Sequence, residues 1–426
     1  MLWLLLASAL AAPATGPAAH VVFTASNRGE LKPCGCPGAV FGGLAKRAVL
    51  LDRLEAESGG FARIDAGDLF FPDGAVTSIN RGPREAKALR IAEIMGQIEY
   101  DAVILGALDT GRASPELLAD PRVQGILSLP DAPIPAGERG AIRVGHLTAD
   151  GPVGVPPGTE PVVLLTDLSD PDIDAALAEQ PTPWLVVSSS PDATLSEPLL
   201  TWVGAVPVVR PTPKGKEYGE VWLWSEAEPA AEPTQTPLEG PEGTRSWLLA
   251  SGERRVEVHF VRIPRETEDD PDIAELIALA ENEAVQADRG EPWQEWEGQT
   301  YAGVAACVGC HPAQTEKWQT TGHARAWAGL EHDGSHTNLD CVGCHSTGFG
   351  QEGGFLRPAS AGALIDVQCE VCHGPSLAHA YQPGNVSPPQ RRPTEATCGQ
   401  CHQWDRSRPF VFEDWLPIVQ CPTSGE

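Results

Sequence analysis

Four short segments of this sequence share one pattern: CVGCH at Cys307–His311, CVGCH at Cys341–His345, CEVCH at Cys369–His373 and CGQCH at Cys398–His402. A single Cys-x-x-Cys pair has three readings: half of a zinc site, a redox dithiol, or the attachment point of a c-type haem. Pairing the four units into two four-cysteine zinc sites leaves the four adjacent histidines without a reason. A redox dithiol calls for one such pair beside a βαβ pattern, and this region is turn-rich without that alternation. Haem attachment uses every residue. Two thiols separated by two residues reach the two vinyl groups on one edge of a porphyrin, and the residue that follows puts an imidazole on the iron. The reading is four c-type haems, held by Cys307, Cys310, Cys341, Cys344, Cys369, Cys372, Cys398 and Cys401, with His311, His345, His373 and His402 as proximal ligands.

The four motifs lie within 96 residues, from Cys307 to His402. About 30 residues of chain per haem are too few to bury each macrocycle in an ordinary apolar core. The haems must form much of their own core and stack closely, which favours fast electron hopping. Each iron then takes a ligand on its far side or stays open there. The histidines near the motifs that could serve are His323, in KWQTTGHARAW, His379, in CHGPSLAHA, and His332 and His336.

The stretch from Tyr301 to Pro422 resembles the tetrahaem cytochromes of the c-554 type, the electron acceptors from hydroxylamine oxidation. The resemblance runs from YAGVAACVGCHPAQTEKWQTTGHARAW through LDCVGCHSTGFGQEGGF, VQCEVCHGPSLAHA and CGQCH to FVFEDWLPIVQCP. It implies that His323 and His379 are distal ligands and that one iron can be five-coordinate. Its usual tail ends in a histidine of a W-P-K-I-x-H type, where this chain has Cys421 in LPIVQCP. A cysteine there has three fates: thiolate ligand, disulfide, or bystander to an open iron. His336 is a weaker ligand candidate, and His332 reads equally well as a surface residue.

The elements ahead of this region read as an α/β layered domain. HVVFTAS, FARID, DAVILG, PVVLLTDL and PWLVVSSS are buried strands by composition, and YGEVWLW and RRVEVHFVRI alternate as antiparallel strands do. GGLAKRAVLLDRLEAE and PREAKALRIAEIMGQI carry apolar residues at helical spacing. SEAEPAAEPTQTPLEGPEG reads as a mobile Pro/Glu-rich loop, and DDPDIAELIALAENEAVQA as a helix linking two domains. The predicted organisation is a signal peptide over 1–19, the α/β domain over 20–265, a helical linker over 266–300 and a mostly α, turn-rich multihaem domain over 301–426.

The order of the α/β elements resembles the metallophosphoesterase domain of 5′-nucleotidases, in TASNRGEL, GGLAKRAVLL, IDAGDLF and YDAVILGALD. Active members hold two metals with an Asp-x-His pair, a Gly-Asp, a Gly-Asn-His and later histidines, because two metals must bind phosphate and activate water. Here Ser26 and Arg28 stand in place of the Asp and His, and Ala107 and Leu108 in place of the Asn and His; Asp68 survives. VVSSSPD stands where later histidines would be. One retained carboxylate cannot hold two metals, so the resemblance implies the fold without the hydrolysis. Cys34 and Cys36, in LKPCGCPG, follow the first strand; in an exported protein a disulfide is the default for such a pair, and a small strained one would be readily reduced.

Composition bounds the partners. A formal charge of −28 argues against nucleic acid and leaves redox proteins as the expected partners, basic ones in particular. The apolar run Leu2–Leu10 followed by ALA fits a secretory signal, although no Lys or Arg precedes it. No other apolar run is long enough to span a membrane. A periplasmic or extracellular location follows, which suits haem attachment after export. Two functions are carried forward: an electron carrier with saturated irons, and a redox enzyme acting on a small nitrogen or sulfur compound at an open haem. A phosphatase is disfavoured by the missing ligands.

Overall fold

The computed structural model describes residues 18–33, 40–72, 76, 80–137, 140–190, 197–239, 243–290, 300–332, 335–336, 339–349, 351–355, 364–402 and 410–422. The apolar run Leu2–Leu10 and the pair Cys34 and Cys36 lie outside the described residues. The chain divides into two compact units. The first holds Val40–Asp73, Ala88–Ile277 and the N-terminal strand; the second is chiefly Ala278–Glu426.

The first unit contains two sheets. One has the order β12-β11-β1-β2-β3, from β1 (Ala19–Thr24), β2 (Ala62–Asp65), β3 (Ala102–Val103), β11 (Glu217–Leu238) and β12 (Thr244–Arg262). The other has the order β4-β5-β7-β8-β10-β9, from β4 (Ile134–Pro135), β5 (Ala141–Thr148), β7 (Val162–Thr166), β8 (Leu185–Ser188), β9 (Leu199–Val203) and β10 (Val206–Arg210), with β6 (Gly151–Val153) paired to β5. Alternation along the strands explains how the sheets stack. Val21 and Phe23 of β1, Ile64 of β2 and Val256, Val258 and Phe260 of β12 share a buried cluster with Val144, Val163, Val187 and Val209 of the second sheet. The opposite side of the second sheet, through Leu164, Val186 and Val208, packs on Ile173 and Ala176 of helix Asp170–Leu177.

Two further helices bury apolar stripes at helical spacing. Helix α1 (Leu44–Ser58) buries Leu44, Ala48 and Leu51, and α2 (Arg81–Ile98) buries Ala88, Ile91, Ala92 and Met95. β1, β2 and β3 run parallel, as do β5, β7, β8 and β10, so the layered α/β reading of this region is met.

One sequence expectation fails. The segment expected as a loop, SEAEPAAEPTQTPLEG, instead extends β11 to Leu238, and Thr234–Leu238 pair with Ala250–Ser246 of β12. Register shifts on both sides of Ala230 absorb the irregularity, and Pro229 and Pro233 fall at those shifts, where no ladder hydrogen bond is required of them.

The second unit is helical and short-segmented, as expected for its turn-rich sequence. Helix Pro271–Gly290 leads toward it across the division. Helices Val304–Cys307, Pro312–Gln319, Ala326–His332, Leu339–His345, Cys369–His373, Leu377–Tyr381, Glu395–Gly399 and Phe412–Val419 follow. Its apolar cluster is small, with Trp327, Leu330, Val342 and Phe355 buried together. Among the described residues no helix is long and apolar enough to cross a membrane.

Candidate haem-binding sites

Each Cys-x-x-Cys-His motif coincides with a helical turn. Helix Leu339–His345 contains the second motif, and helix Cys369–His373 is the third. In the first and fourth, the amides of His311 and His402 donate to the carbonyls of Cys307 and Cys398, both at 2.9 Å. Residues three and four apart on such a turn share a face, which sets both thiols of a pair and its histidine on one side. That arrangement fits covalent attachment of a porphyrin edge with the imidazole beneath its centre.

The histidines outside the motifs meet those inside them. The ring of His311 lies 6.2 Å from that of His379, with 31° between planes, and the ring of His402 lies 6.0 Å from that of His323, at 50°. A metal bonded to two imidazole nitrogens at about 2 Å each, with the ring radii added, separates two ring centres by about 6 Å. Burial, with a smaller contribution from the neighbouring His402, holds His323 below its ordinary pKa, and burial does the same to His402. Both effects favour the neutral ring, the form that binds a metal.

Backbone carbonyls fix the tautomers of other rings. His345 Nδ1 bonds Ala326 O at 2.6 Å, His373 Nδ1 bonds Gln390 O at 2.9 Å, and His379 Nδ1 bonds Val386 O at 2.6 Å. A carbonyl only accepts, so Nδ1 carries the proton and Nε2 keeps its lone pair for a metal.

The remaining candidates are placed differently. Among the described residues neither His345 nor His373 has a second histidine ring facing it. His336 stands edge-on to Trp327 with centroids 6.4 Å apart, and its buried Nδ1 has no hydrogen-bond partner. His332 is exposed. Cys421 follows helix Phe412–Val419, and the next residue, Pro422, accepts a 3.0 Å hydrogen bond at its carbonyl from Gln314 Nε2. The Cys421 thiol is close enough to Cys369, Cys372 and Lys317 to interact with them electrostatically.

The motifs are also close to one another. The thiols of Cys307 and Cys369 hydrogen-bond, joining the first motif to the third, and Cys372 feels Cys398 of the fourth. Sequence reasoning misses the residue that clamps this cluster. Glu370, an intervening residue of the third motif, is 3% exposed. Its carboxylate accepts from the amides of Ala302 (2.9 Å), Gly303 (2.8 Å) and Ser376 (2.7 Å). Gln368 Oε1 accepts from Val304 N at 2.6 Å beside it. The one signal in the sequence is that CEVCH alone places a charge between its cysteines.

In the first unit, Ser26 and Arg28 follow β1 and Asp68 follows β2, and all three adopt left-handed backbone, with φ of 55°, 53° and 55°. The strands are tied there: Ser26 N donates to Gly67 O and Arg28 N to Asp68 O, both at 2.8 Å. Asp68 Oδ1 accepts from Leu108 N at 3.0 Å, at the start of helix Ala107–Arg112. Burial, reinforced by the charge of Asp109, pushes Asp68 up to about 8. Asp109, also missed in the sequence, accepts from the amides of Leu69 and Phe70 at 2.8 Å, and burial raises it to about 6. Among the described residues no three His, Cys, Asp or Glu side chains are grouped to hold a metal.

Comparison with known proteins separates the two regions. Residues 306–374 match the family model described as cytochrome c554 and c-prime. Cytochrome c-554 of Nitrosomonas europaea is 33% identical over 117 residues, covering 24% of this chain and 46% of that protein. The chain therefore spans about half the length of the curated relative it matches. The motif region is thus similar to a c-type cytochrome, whose cofactor is c-type haem.

Solved structures align elsewhere. The sulfate thiohydrolase SoxB of Thermus thermophilus, in complex with glycerol, is 14% identical with a TM-score of 0.40, over 63% of this chain and 61% of that one. A 5′-nucleotidase precursor from the same species is 15% identical with a TM-score of 0.40, over 75% of this chain and 68% of that one. The calcineurin-like phosphoesterase YfkN of Bacillus subtilis is 13% identical with a TM-score of 0.39, over 65% and 100%.

Proposed function

We propose that this protein is an exported multihaem cytochrome that passes electrons through four covalently bound c-type haems, beside a phosphoesterase-like domain that has lost its metal ligands. The observation that carries the reading is the meeting of His311 with His379 and of His402 with His323 at a separation suited to a shared metal. In this reading the four motif histidines are proximal ligands, His379 is distal at the first haem and His323 distal at the fourth. When bound, haem iron supplies reversible one-electron chemistry at a potential set by its axial ligands. The chain supplies the rest: thioether anchors, rings oriented through Nδ1, and motifs close enough for electrons to hop.

The organisation follows the sequence reading, with an export signal over 1–19, a phosphoesterase-like domain over 20–265, a helical linker over 266–300 and the tetrahaem domain over 301–426. Loss of hydrolysis is supported by Ser26, Arg28, Ala107 and Leu108, none of which brings a carboxylate or imidazole, and by the partnering of Asp109 with backbone amides. The partners are redox proteins, and the charge of −28 favours basic surfaces on them.

A second reading, a redox enzyme acting on a small nitrogen or sulfur compound, draws on one observation: no histidine ring faces His345 among the described residues. His336 is its remaining nitrogen candidate. One experiment addresses both readings. Protein matured with the cytochrome c assembly machinery is assayed by pyridine haemochrome and then reduced under carbon monoxide. Four haems and an unchanged Soret band are the carrier result. Four haems with a shift of part of that band favour the enzyme, and a zinc-loaded, haem-free protein would overturn the haem reading.

A further inference from the structure

We infer that Cys421 is the axial thiolate ligand of the haem carried by Cys369, Cys372 and His373, making that haem a His/Cys centre among imidazole-ligated neighbours. The inference rests on the tetrahaem reading and extends it to a ligand that reading leaves unassigned.

Elimination narrows the donors. His379 and His323 are taken by the first and fourth motifs. His336 lies against Trp327, and the residue just before that tryptophan, Ala326, supplies the carbonyl that holds His345 of the second motif. His336 therefore belongs to the surroundings of the second motif, and His332 is exposed. Of the eleven cysteines, eight are consumed by thioethers and Cys34 and Cys36 stand one residue apart, which leaves Cys421 without a disulfide partner in the chain.

Placement then selects the third motif. The Cys421 thiol interacts with both Cys369 and Cys372, the two anchors of one porphyrin. Its position is held from the next residue, where the Pro422 carbonyl takes a 3.0 Å hydrogen bond from Gln314. Gln314 lies on helix Pro312–Gln319, which follows His311 directly, so the tail is fastened to the structure that carries the first motif. Lys317, about one turn further along that helix, places a positive charge in range of the sulfur.

The chemistry suits the position. Thiolate is a soft, electron-rich donor that binds iron well, and a coordinating thiol is deprotonated by the metal's own charge. Ligation forms one iron–sulfur bond, and the thiol proton leaves to solvent. A thiolate raises electron density on iron, which lowers the potential relative to bis-imidazole ligation. The third motif touches the first through Cys307–Cys369 and neighbours the fourth through Cys372–Cys398. The low-potential centre would therefore sit between the two bis-histidine centres and set the direction of flow through the cluster.

The test uses the full-length, fully matured protein. Haem content is first established by pyridine haemochrome and by peptide mass across Cys369–Cys372. Ferric protein is then examined by electron paramagnetic resonance and near-infrared magnetic circular dichroism. The expected result is one low-spin signal with the narrow g-spread of thiolate ligation and its charge-transfer band, in addition to bis-imidazole signals. In Cys421→Ser that signal disappears entirely, and in Cys421→His it is replaced by a further bis-imidazole signal and a higher potential for one haem. Because Cys421 is exposed, neither substitution removes core packing. Four haems with no thiolate signal, or a thiolate signal that survives in Cys421→Ser, would overturn the inference alone. A protein without haem on Cys369 and Cys372 would overturn the tetrahaem reading along with it.

Discussion

The two units of this chain are stabilised by different means. In the sandwich, Val21, Phe23, Ile64, Val144, Val163, Val187, Val258 and Phe260 are all buried between sheets, and helices close the outer faces. In the second unit only four buried hydrophobic residues form the cluster around Trp327, while thiols and imidazoles occupy much of the rest. A fold held by side chains tolerates loss of its functional residues. A fold whose centre is cofactor does not. That contrast accounts for a first unit that keeps its architecture with Ser26, Arg28, Ala107 and Leu108 at the old ligand positions, beside a second unit that keeps all four attachment motifs.

The largest effect that would break this comparison is haem removal. Chain produced without the haem attachment machinery should retain one cooperative thermal transition from the sandwich, while the region after residue 300 becomes a substrate for limited proteolysis. Mass mapping of the resistant fragment reads the outcome. A haem-free protein resistant along its whole length would mean that the four-residue cluster and its hydrogen bonds suffice to hold the second unit.

A smaller effect sharpens the account of how that unit is tied together. Glu370 is 3% exposed and satisfies the amides of Ala302, Gly303 and Ser376. Glu370→Ala leaves those donors without their acceptor at a cost of about 3 kcal/mol, and Glu370→Gln, which keeps one carbonyl, costs about half as much. Thermal melts followed at the Soret band of haem-loaded protein should show that order, with the sandwich transition unmoved. Equal melting of all three proteins would show that the clamp contributes nothing once haem is bound.

What can be read in the sequence follows the range of the interactions involved. The motifs, the strands around Val21 and Ile64 and the helix around Leu44–Leu51 are local patterns, so adjacent residues reveal them. The long β11–β12 ribbon is hidden because Pro229, Pro233 and Pro237 resemble loop punctuation, and their tolerance depends on bulges and a partner strand. β5 is obscured because Arg143, Gly145 and His146 interrupt its apolar residues, although Ile142, Val144 and Leu147 are fully buried. The pairing of His311 with His379 joins residues far apart in the chain, and spacing alone carries no information about it. Glu370 and Asp109 escape notice for a shared reason: a carboxylate normally signals a solvated surface, and only the structure shows the backbone amides that hold these two inside.

The smallest expected effect lies in the former catalytic end of the sandwich and is a matter of pH. Asp68 has a folded pKa of about 8 against an ordinary value of 3.8, because burial and the charge of Asp109 oppose its ionisation. Between those values the folded state binds a proton that the unfolded state does not. The stabilisation is therefore complete below the ordinary pKa and is lost as pH rises toward the folded one. Asp68→Asn removes that proton and its pH dependence while keeping a carbonyl for the Leu108 amide. Relative to wild type, the variant should gain about 2 kcal/mol in the sandwich transition from about pH 6 to about pH 8, as measured by chemical denaturation. Haem spectra should stay constant throughout, since no attachment residue is altered. Parallel pH profiles would place an ionised Asp68 in the fold at neutral pH, with Arg28 as its counter-charge. In that case the old site would still be organised around a carboxylate, and the contrast between a unit that lost its ligands and a unit that kept them would be less complete.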